Sequence, residues 1–572
     1  MKRLLLICLA ALAQPAFCWQ KVAGIQDLEQ EHQILCAKTI KHGVPHIHLS
    51  LRNNFNAKRT FRIESRISRC APGLRTLALG PGESVTLTLP QVFSSEFDRG
   101  YYARQITITE PNPPKGITRN DIFGYIQFND EFDFADAYGS HSEQNNLLLD
   151  PSLSREQLQN TFALARGIKD DKGKLQPFTF HGTKAPEAPG LWPTDYRDYL
   201  TFDAVLAPAS TLQALSPSVR LALTAYERLG GKLITTEENQ PAGFSTSQAA
   251  LDAIADFQKA NTRMIGDLKF KSYGYGSGNR ATENLARIPL NIQASLPVGF
   301  IILLLVIFSV VVVPFCVWHF AKRNRRILLL AVLPAASAAL ALGVGIIALF
   351  TYGTTPITRL QSVTFLDQRT RLAVTRGQFG VFAPGSIDGE MSIPNDATLT
   401  LRDTDGSNFK GTLAYAETPR LDGTWVKPLT VAFFDFSRAR QHAEKLDVRP
   451  GADESVTVVN LLGAPALGGW LRRGENRYRI PPLAPGESAE LAPTEKTHVP
   501  FTDWQEHLLS SDTDFGRNWH TLGLLANSPS VSDGTYILHL NASPFFPNLF
   551  GRRPTKGTEE SIVIGTFAED VK

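Results

Sequence analysis

Two uncharged apolar runs separated by a short basic tract constrain this chain more than anything else in it. Residues 298–318 (VGFIILLLVIFSVVVVPFCVW) carry no charge. At about 1.5 Å per residue a helix of that length measures about 30 Å, the thickness of a bilayer's hydrocarbon core. Residues 327–352 form a second such run, and so short a pair can span only as helices, because backbone groups in lipid must find partners within the segment. Between them, residues 319–326 hold Lys322, Arg323, Arg325 and Arg326 and no acidic residue. The positive-inside rule puts that loop in the cytoplasm and both flanking parts of the chain outside it. Ala335, Ala339 and Gly343 recur every four residues, either a stripe over which the first helix packs closely or a generic small-residue tract. Pro314 and Pro334 are expected to kink their helices. Neither run has an ionisable residue in its interior, which argues against an ion or proton pathway.

The N-terminus gives the same address independently. Lys2 and Arg3 precede an apolar stretch at residues 4–13 that is too short to span, and Ala16-Phe17-Cys18 is a small-x-small cleavage site. Residues 1–18 therefore read as a signal peptide, and the chain as a two-pass protein of a bacterial inner membrane with both large parts periplasmic. Cys18 is also a possible lipid acceptor, but the bulky Phe17 stands where lipoprotein signals resemble one another in having a small residue. An exported chain is disulfide-permissive. Of the five cysteines, Cys8 and Cys18 belong to the signal and Cys316 to a membrane run, leaving Cys36 and Cys70. A bridge between these two is the expected state, worth about 3 kcal/mol by loop entropy; two separate buried thiols are the alternative.

At 572 residues the chain exceeds a single core. With 43% hydrophobic and 20% charged residues it is neither disordered nor a polytopic transporter. A net charge of +3 with no domain-scale basic stripe gives no reason to expect a nucleic-acid partner. Residues 19–120 alternate apolar and polar (HIHLSLRN, KRTFRIESRI, ESVTLTLP) between Asn-Asn and Pro-Gly turns, as an immunoglobulin-like β-sandwich does. His46 and His48 share one strand face with His42 close by. That pattern suits a metal site, but with no Cys or carboxylate set beside them a solvated face is the expected reading.

Residues 121–290 change period. An apolar run at 146–149 is followed by a capping box, Ser154 with Gln157, that opens a helix ending at Gly167. Residues 178–180 read as the next strand. The unit then repeats: strand 202–206 (FDAVL), Ser216-Pro217 opening a helix over 217–229, Gly230-Gly231, and strand KLIT. Strand, helix, strand with short connections predicts parallel pairing, in a Rossmann-like three-layer α/β domain. LWPTDYRDYLTFDAVLAP and LSPSVRLALTAYERLGGKLIT resemble the glutamine-amidotransferase-like domains of uncharacterised bacterial membrane proteins. ESVTVVNLLGAPALGGWLRRGENRYRIPPLAPGES is similar to their C-terminal part. The resemblance implies a fold and a periplasmic address, beside transport or assembly machinery, and little chemistry.

The enzymes of that fold need a nucleophilic thiolate with a base beside it. Residues 121–290 contain no Cys, so His141 and His181 have no thiol to serve, and Ser245 and Thr246 lack the nucleophile-elbow glycines. A degenerate, non-catalytic relative is expected. Asp130, Glu131, Asp133 and Asp136 lack EF-hand spacing, and residues 273–278 (YGYGSG) lack the Lys-Ser/Thr of a phosphate loop. Residues 353–572 return to strands, enough for one elaborate β-sandwich or two small ones, with a helix suggested by Trp504, His507, Leu508 and Leu509. The expected protein is thus multidomain, α/β plus all-β, with a two-helix transmembrane hairpin. No catalytic, cofactor or metal residues are assigned. Its expected partners are the membrane and other envelope proteins. A hydrolase or amidotransferase with an unrecognised nucleophile, and a ligand or carbohydrate sensor, are the alternatives.

Overall fold

The computed structural model describes residues 19–23, 25–37, 39–40, 46–67, 73–89, 92–94, 104–111, 123–127, 133–134, 145–166, 180–229, 231–236, 298–323, 326–352, 355–385, 387–388, 391–402, 410–415, 418–426, 430–451, 454–494, 534–547, 549–550 and 556–567. Residues 1–18, read above as a signal peptide, and Cys70, His42, His141, Asp130, Glu131, Asp136, Ser245, Thr246, Arg325, the YGYGSG run and the helix suggested near Trp504 lie outside the described residues.

Strands dominate. Ile47–Asn53 is the model case: Ile47, Leu49 and Leu51 point inward, fully buried, while His48, Ser50 and Arg52 alternate outward. It pairs antiparallel with Ile25–Ile34 on one side and Ser84–Leu89 on the other. Arg59–Ile67 lies between Gly73–Leu79 and Arg104–Thr109 in a second sheet.

That second sheet does not end with the N-terminal residues. Gly73–Leu79 runs parallel to Lys410–Ala414, and Tyr415 N donates to Leu74 O at 2.7 Å. Val92–Ser94 likewise pairs with Ala397–Arg402 at the edge of a nine-stranded sheet. One hydrophobic core accordingly holds Leu28, Leu49, Phe61 and Ile63 together with Phe379, Leu399, Trp425, Phe434 and Phe550. The β regions expected at 19–120 and 353–572 as separate domains share sheets and a core. Alternation shows which face of a strand is buried but not what buries it.

The two regions also share a local device. At the end of Ile47–Asn53 the buried Asn53 side chain donates to Ala57 O, Leu79 O and Gly80 O, at 3.0, 2.9 and 2.9 Å, and accepts from Phe55 N. Gly82 N donates to Asn53 O, and Glu83 reaches back to Gly80 N. At the end of Val456–Leu461, Asn460 donates to Ala464 O, Leu483 O and Ala484 O and accepts from Leu462 N. Gly486 N donates to Asn460 O, and Glu487 reaches back to Ala484 N. Each site is an asparagine clamping a Pro-Gly-Glu-Ser turn, with the glycine at φ +71° or +82°, where only a residue without Cβ is unstrained. Register agrees as well, since Arg52 faces Ser84 and Val459 faces Ser488. The chain carries the same β unit twice.

Between them stands a four-stranded parallel sheet in the order Phe180–Lys184, Asn145–Leu149, Ala204–Pro208, Lys232–Thr236. Leu147, Leu149, Ala204 and Leu206 pack on Leu158 and Phe162 of helix Arg155–Arg166. Leu148, Val205 and Ala207 pack on Val219, Leu223 and Tyr226 of helix Pro217–Arg228, which Ser216 caps by accepting from Val219 N. Burial on both faces explains why these strands read as continuous apolar runs. Leu372 and Val374 of the long strand Leu372–Ala383 enter the second of these clusters, seating the parallel sheet against the C-terminal β region.

Among the described residues one helix, Ile302–Phe320, is long and apolar enough to cross a membrane, and the helix Leu329–Tyr352 that follows carries a shorter apolar stretch, Leu330–Val344. Val310, Phe315 and Trp318 are exposed along the first. Its helical turns widen to π geometry over Phe308–Val312 just before Pro314, which takes up the missing N–H and the ring's clash with the preceding turn. The small-residue stripe does not hold the helices together. Ala335 and Ala339 are exposed, and a Cβ on Gly343 would meet nothing within 4 Å.

Candidate functional site

The most unusual polar cluster forms where the three regions meet. Its centre is the short 3₁₀ turn Tyr196–Tyr199, all four residues of which are buried. Asp195 caps it, accepting from Arg197 N at 3.0 Å, and the Arg197 guanidinium folds back on the Asp195 carboxylate with Nε at 2.9 Å and Nη2 at 2.5 Å. Arg197 Nη1 also donates to Ala397 O, and the Tyr196 hydroxyl lies 3.1 Å from both Asp396 O and Ser437 O. Ala37 N donates to Thr201 Oγ1 at 2.9 Å. The turn thereby joins the N-terminal chain, the parallel sheet and the C-terminal β region.

Asp198 faces the other way, onto the outer face of strand Ile47–Asn53. Its Oδ1 is 3.1 Å from His46 Nδ1 and its Oδ2 is 3.4 Å from His48 Nε2. His46 is 4% exposed, Asp198 2% and His48 29%. The two rings meet edge to face with centroids 4.7 Å apart, and Thr88 Oγ1 lies 3.3 Å from His48 Nδ1. His46 Nε2 is buried with no hydrogen-bond partner among the described residues. The two histidines do share a face, but the expected solvated face is overturned: the turn lies over it and supplies the carboxylate that the local sequence lacks.

The electrostatics follow from this packing. Burial pulls the His46 imidazole below its ordinary value, outweighing its bond to Asp198. The bond to Asp198 raises His48, against a smaller effect of burial. Burial would raise Asp198, but its bonds to both histidines take it below the usual carboxylate range. Burial would likewise raise Asp195, and Arg197 overrides it, bringing it down to about 2. A carboxylate whose ionised form is favoured thus sits between one ring that burial shifts toward its neutral form and one that the carboxylate shifts toward its protonated form. Such a set can share a proton or hold a cation. His46, His48 and Asp198 each offer a ligand atom within 4.8 Å of the others, the one such group of three among the described residues.

The Asp195 shift predicts an acid limb in stability. A carboxylate depressed in the folded state contributes stability above its unfolded value near 3.8, and loses it as pH falls toward 2. The contribution is about 2 kcal/mol from the conversion of pKa to free energy. Melting temperatures measured between pH 5 and 2.5 should fall less steeply in Asp195→Asn than in the parent chain.

Of the other residues singled out by sequence, Cys36 is buried, and the expected bridge to Cys70 stands or falls on a mass shift after alkylation with and without reduction. Lys322 and Arg323 are exposed at the end of the first apolar helix, with Lys322 Nζ 5.2 Å over the Trp318 ring. Arg326 opens the turn into the second. Asp195, Arg197 and Asp198 were missed by sequence reasoning. The one signal was a charged DYRDY run inside an otherwise apolar segment.

Comparison with protein-family models and with curated proteins returns no match. Among solved structures, the chain is similar to the yeast delta-COP-I mu-homology domain complexed with the Dsl1 WxWxV peptide. There it is 8% identical, covering 37% of this chain and 96% of that one, with a TM-score of 0.18. Cwp6 from Clostridium difficile matches at 9% identity over 42% of this chain and 44% of its own, with a TM-score of 0.12. At these scores neither likeness bears on fold or function.

Proposed function

We propose that this is a non-enzymatic membrane protein of the bacterial cell envelope, a two-pass scaffold whose extramembrane parts form one periplasmic body that binds other envelope proteins. One observation carries the topology. Strands before and after the apolar helices hydrogen-bond to each other and share one core. Segments that fold together must lie on one side of a membrane, so the chain has to cross an even number of times. Helix Ile302–Phe320 is the outward-to-inward span, and Leu329–Tyr352 the return. The basic residues between them and the signal-like N-terminus support a periplasmic body.

On this reading the β region at 19–120 is immunoglobulin-like, and the parallel sheet is the non-catalytic relic of an amidotransferase-like, Rossmann-like domain. The absence of Cys from residues 121–290 supports that degeneracy. Binding is favoured over chemistry by a fold-level analogy alone, with β modules that serve as binding platforms. Cross-linking in intact cells followed by mass spectrometry should recover the same envelope proteins repeatedly. Recovery of none, in cells where the chain is abundant, would remove the scaffold reading.

A second reading, a hydrolase, has one geometric point in its favour. Thr88 Oγ1, His48 and Asp198 stand in series at 3.3 and 3.4 Å. Thr88 lies within a regular strand, with no sharp turn to present its hydroxyl. Labelling by a fluorophosphonate probe that disappears in Thr88→Val would establish this reading.

A further inference from the structure

We propose that His46, His48 and Asp198 form a binding site for a zinc-class transition-metal ion, which clamps the N-terminal sheet to the turn Tyr196–Tyr199.

The donor set selects the ion. Two imidazole nitrogens and one carboxylate oxygen suit zinc and its neighbours, whereas calcium and magnesium require oxygen ligands throughout. Distances agree. Zinc bonds nitrogen and carboxylate oxygen at about 2.0–2.2 Å, so adjacent ligands of a tetrahedron lie about 3.3 Å apart. The His46 Nδ1 stands 3.1 Å from Asp198 Oδ1 and the His48 Nε2 3.4 Å from Oδ2, and one ligand atom from each of the three residues lies within 4.8 Å of the others. Small side-chain adjustments bring three donors onto one ion. His48, the partly exposed member, leaves an approach for the ion and a fourth position for water.

Two further observations separate this cluster from an ordinary buried ion pair. Thr88 supports His48 through the ring nitrogen that does not face Asp198, as the outer partner of a metal-ligating histidine does. The repeated β unit supplies an internal comparison. In the copy built on Asn460, the position matching His48, counted back from the asparagine, is Ser455. The unit therefore forms without that histidine, which occurs only in the copy that the turn covers. Arg197, one residue before Asp198, is already paired with Asp195.

The test uses the full chain in detergent, stripped with chelator and titrated with zinc chloride against a competing chromophoric chelator. Cobalt chloride serves as the spectroscopic probe. The proposal predicts one zinc per chain, a rise in melting temperature with zinc, and the visible absorption of tetrahedral cobalt. His48→Gln, at the partly exposed ligand, and Asp198→Asn should each weaken zinc binding at least tenfold and abolish the cobalt bands. Far-UV circular dichroism verifies folding of each variant, and if Asp198→Asn fails to fold, His48→Gln decides alone. Absence of stoichiometric zinc in the parent chain would overturn the proposal. So would zinc binding that both folded variants retain unchanged.

Discussion

Replacing Asn53 with alanine should destabilise the protein by about 3–5 kcal/mol, because each buried polar group left without a partner costs about 1–3 kcal/mol. The side chain is fully buried, and its amide serves three carbonyls while its oxygen serves Phe55 N. Asn460→Ala should cost about as much, since it orphans the corresponding groups around Pro485-Gly486. Asn53→Asp should rescue nothing, because a carboxylate keeps the shape but turns an acceptor toward carbonyl oxygens. Denaturant titration followed by circular dichroism measures all three. A loss under about 1 kcal/mol for either alanine variant would mean that the turns hold themselves and that the repeated clamp is incidental.

Asp198→Ala is the second large effect. Removing the carboxylate leaves the buried His46 Nδ1 without its hydrogen-bond partner and releases His48 from the turn, which costs about 1–3 kcal/mol. His46 would lose the one bond its ring makes to the protein, and His48 its bond to the turn. The turn would still be held by Asp195, Arg197 and Tyr196. The loss should therefore be local first, seen as faster amide exchange around residues 46–50 and 195–201 before global unfolding. Unchanged exchange there would show that the cluster does not join the two regions.

How much of this was legible in the sequence depended on the range of the interaction. Ser216-Pro217, Gly230-Gly231 and the apolar FDAVL and KLIT runs are local signals, and the structure has helix Pro217–Arg228 between strands Ala204–Pro208 and Lys232–Thr236. The alternation in HIHLSLRN gave strand Ile47–Asn53 and the shared face of His46 and His48. Neither signal carries information about distant partners. Asp198 is 150 residues from His48, and Gly73 is paired with Leu413, beyond both apolar helices in the chain. The Asn53 clamp was half visible: the Pro-Gly punctuation marks both turns, but an asparagine that caps a strand reads as just another loop residue.

The central claim is that the chain before and after the apolar helices forms one body on the outer side of the membrane. Single cysteines introduced at the exposed positions Ala57 and Glu475, and at Arg326, test it directly. Each would be treated in intact spheroplasts with a membrane-impermeant maleimide and compared with the unsubstituted chain. The account predicts labelling at 57 and 475 without permeabilisation, and at 326 only after it. Labelling of 57 and 475 from opposite sides would contradict the shared core and the two-pass topology together.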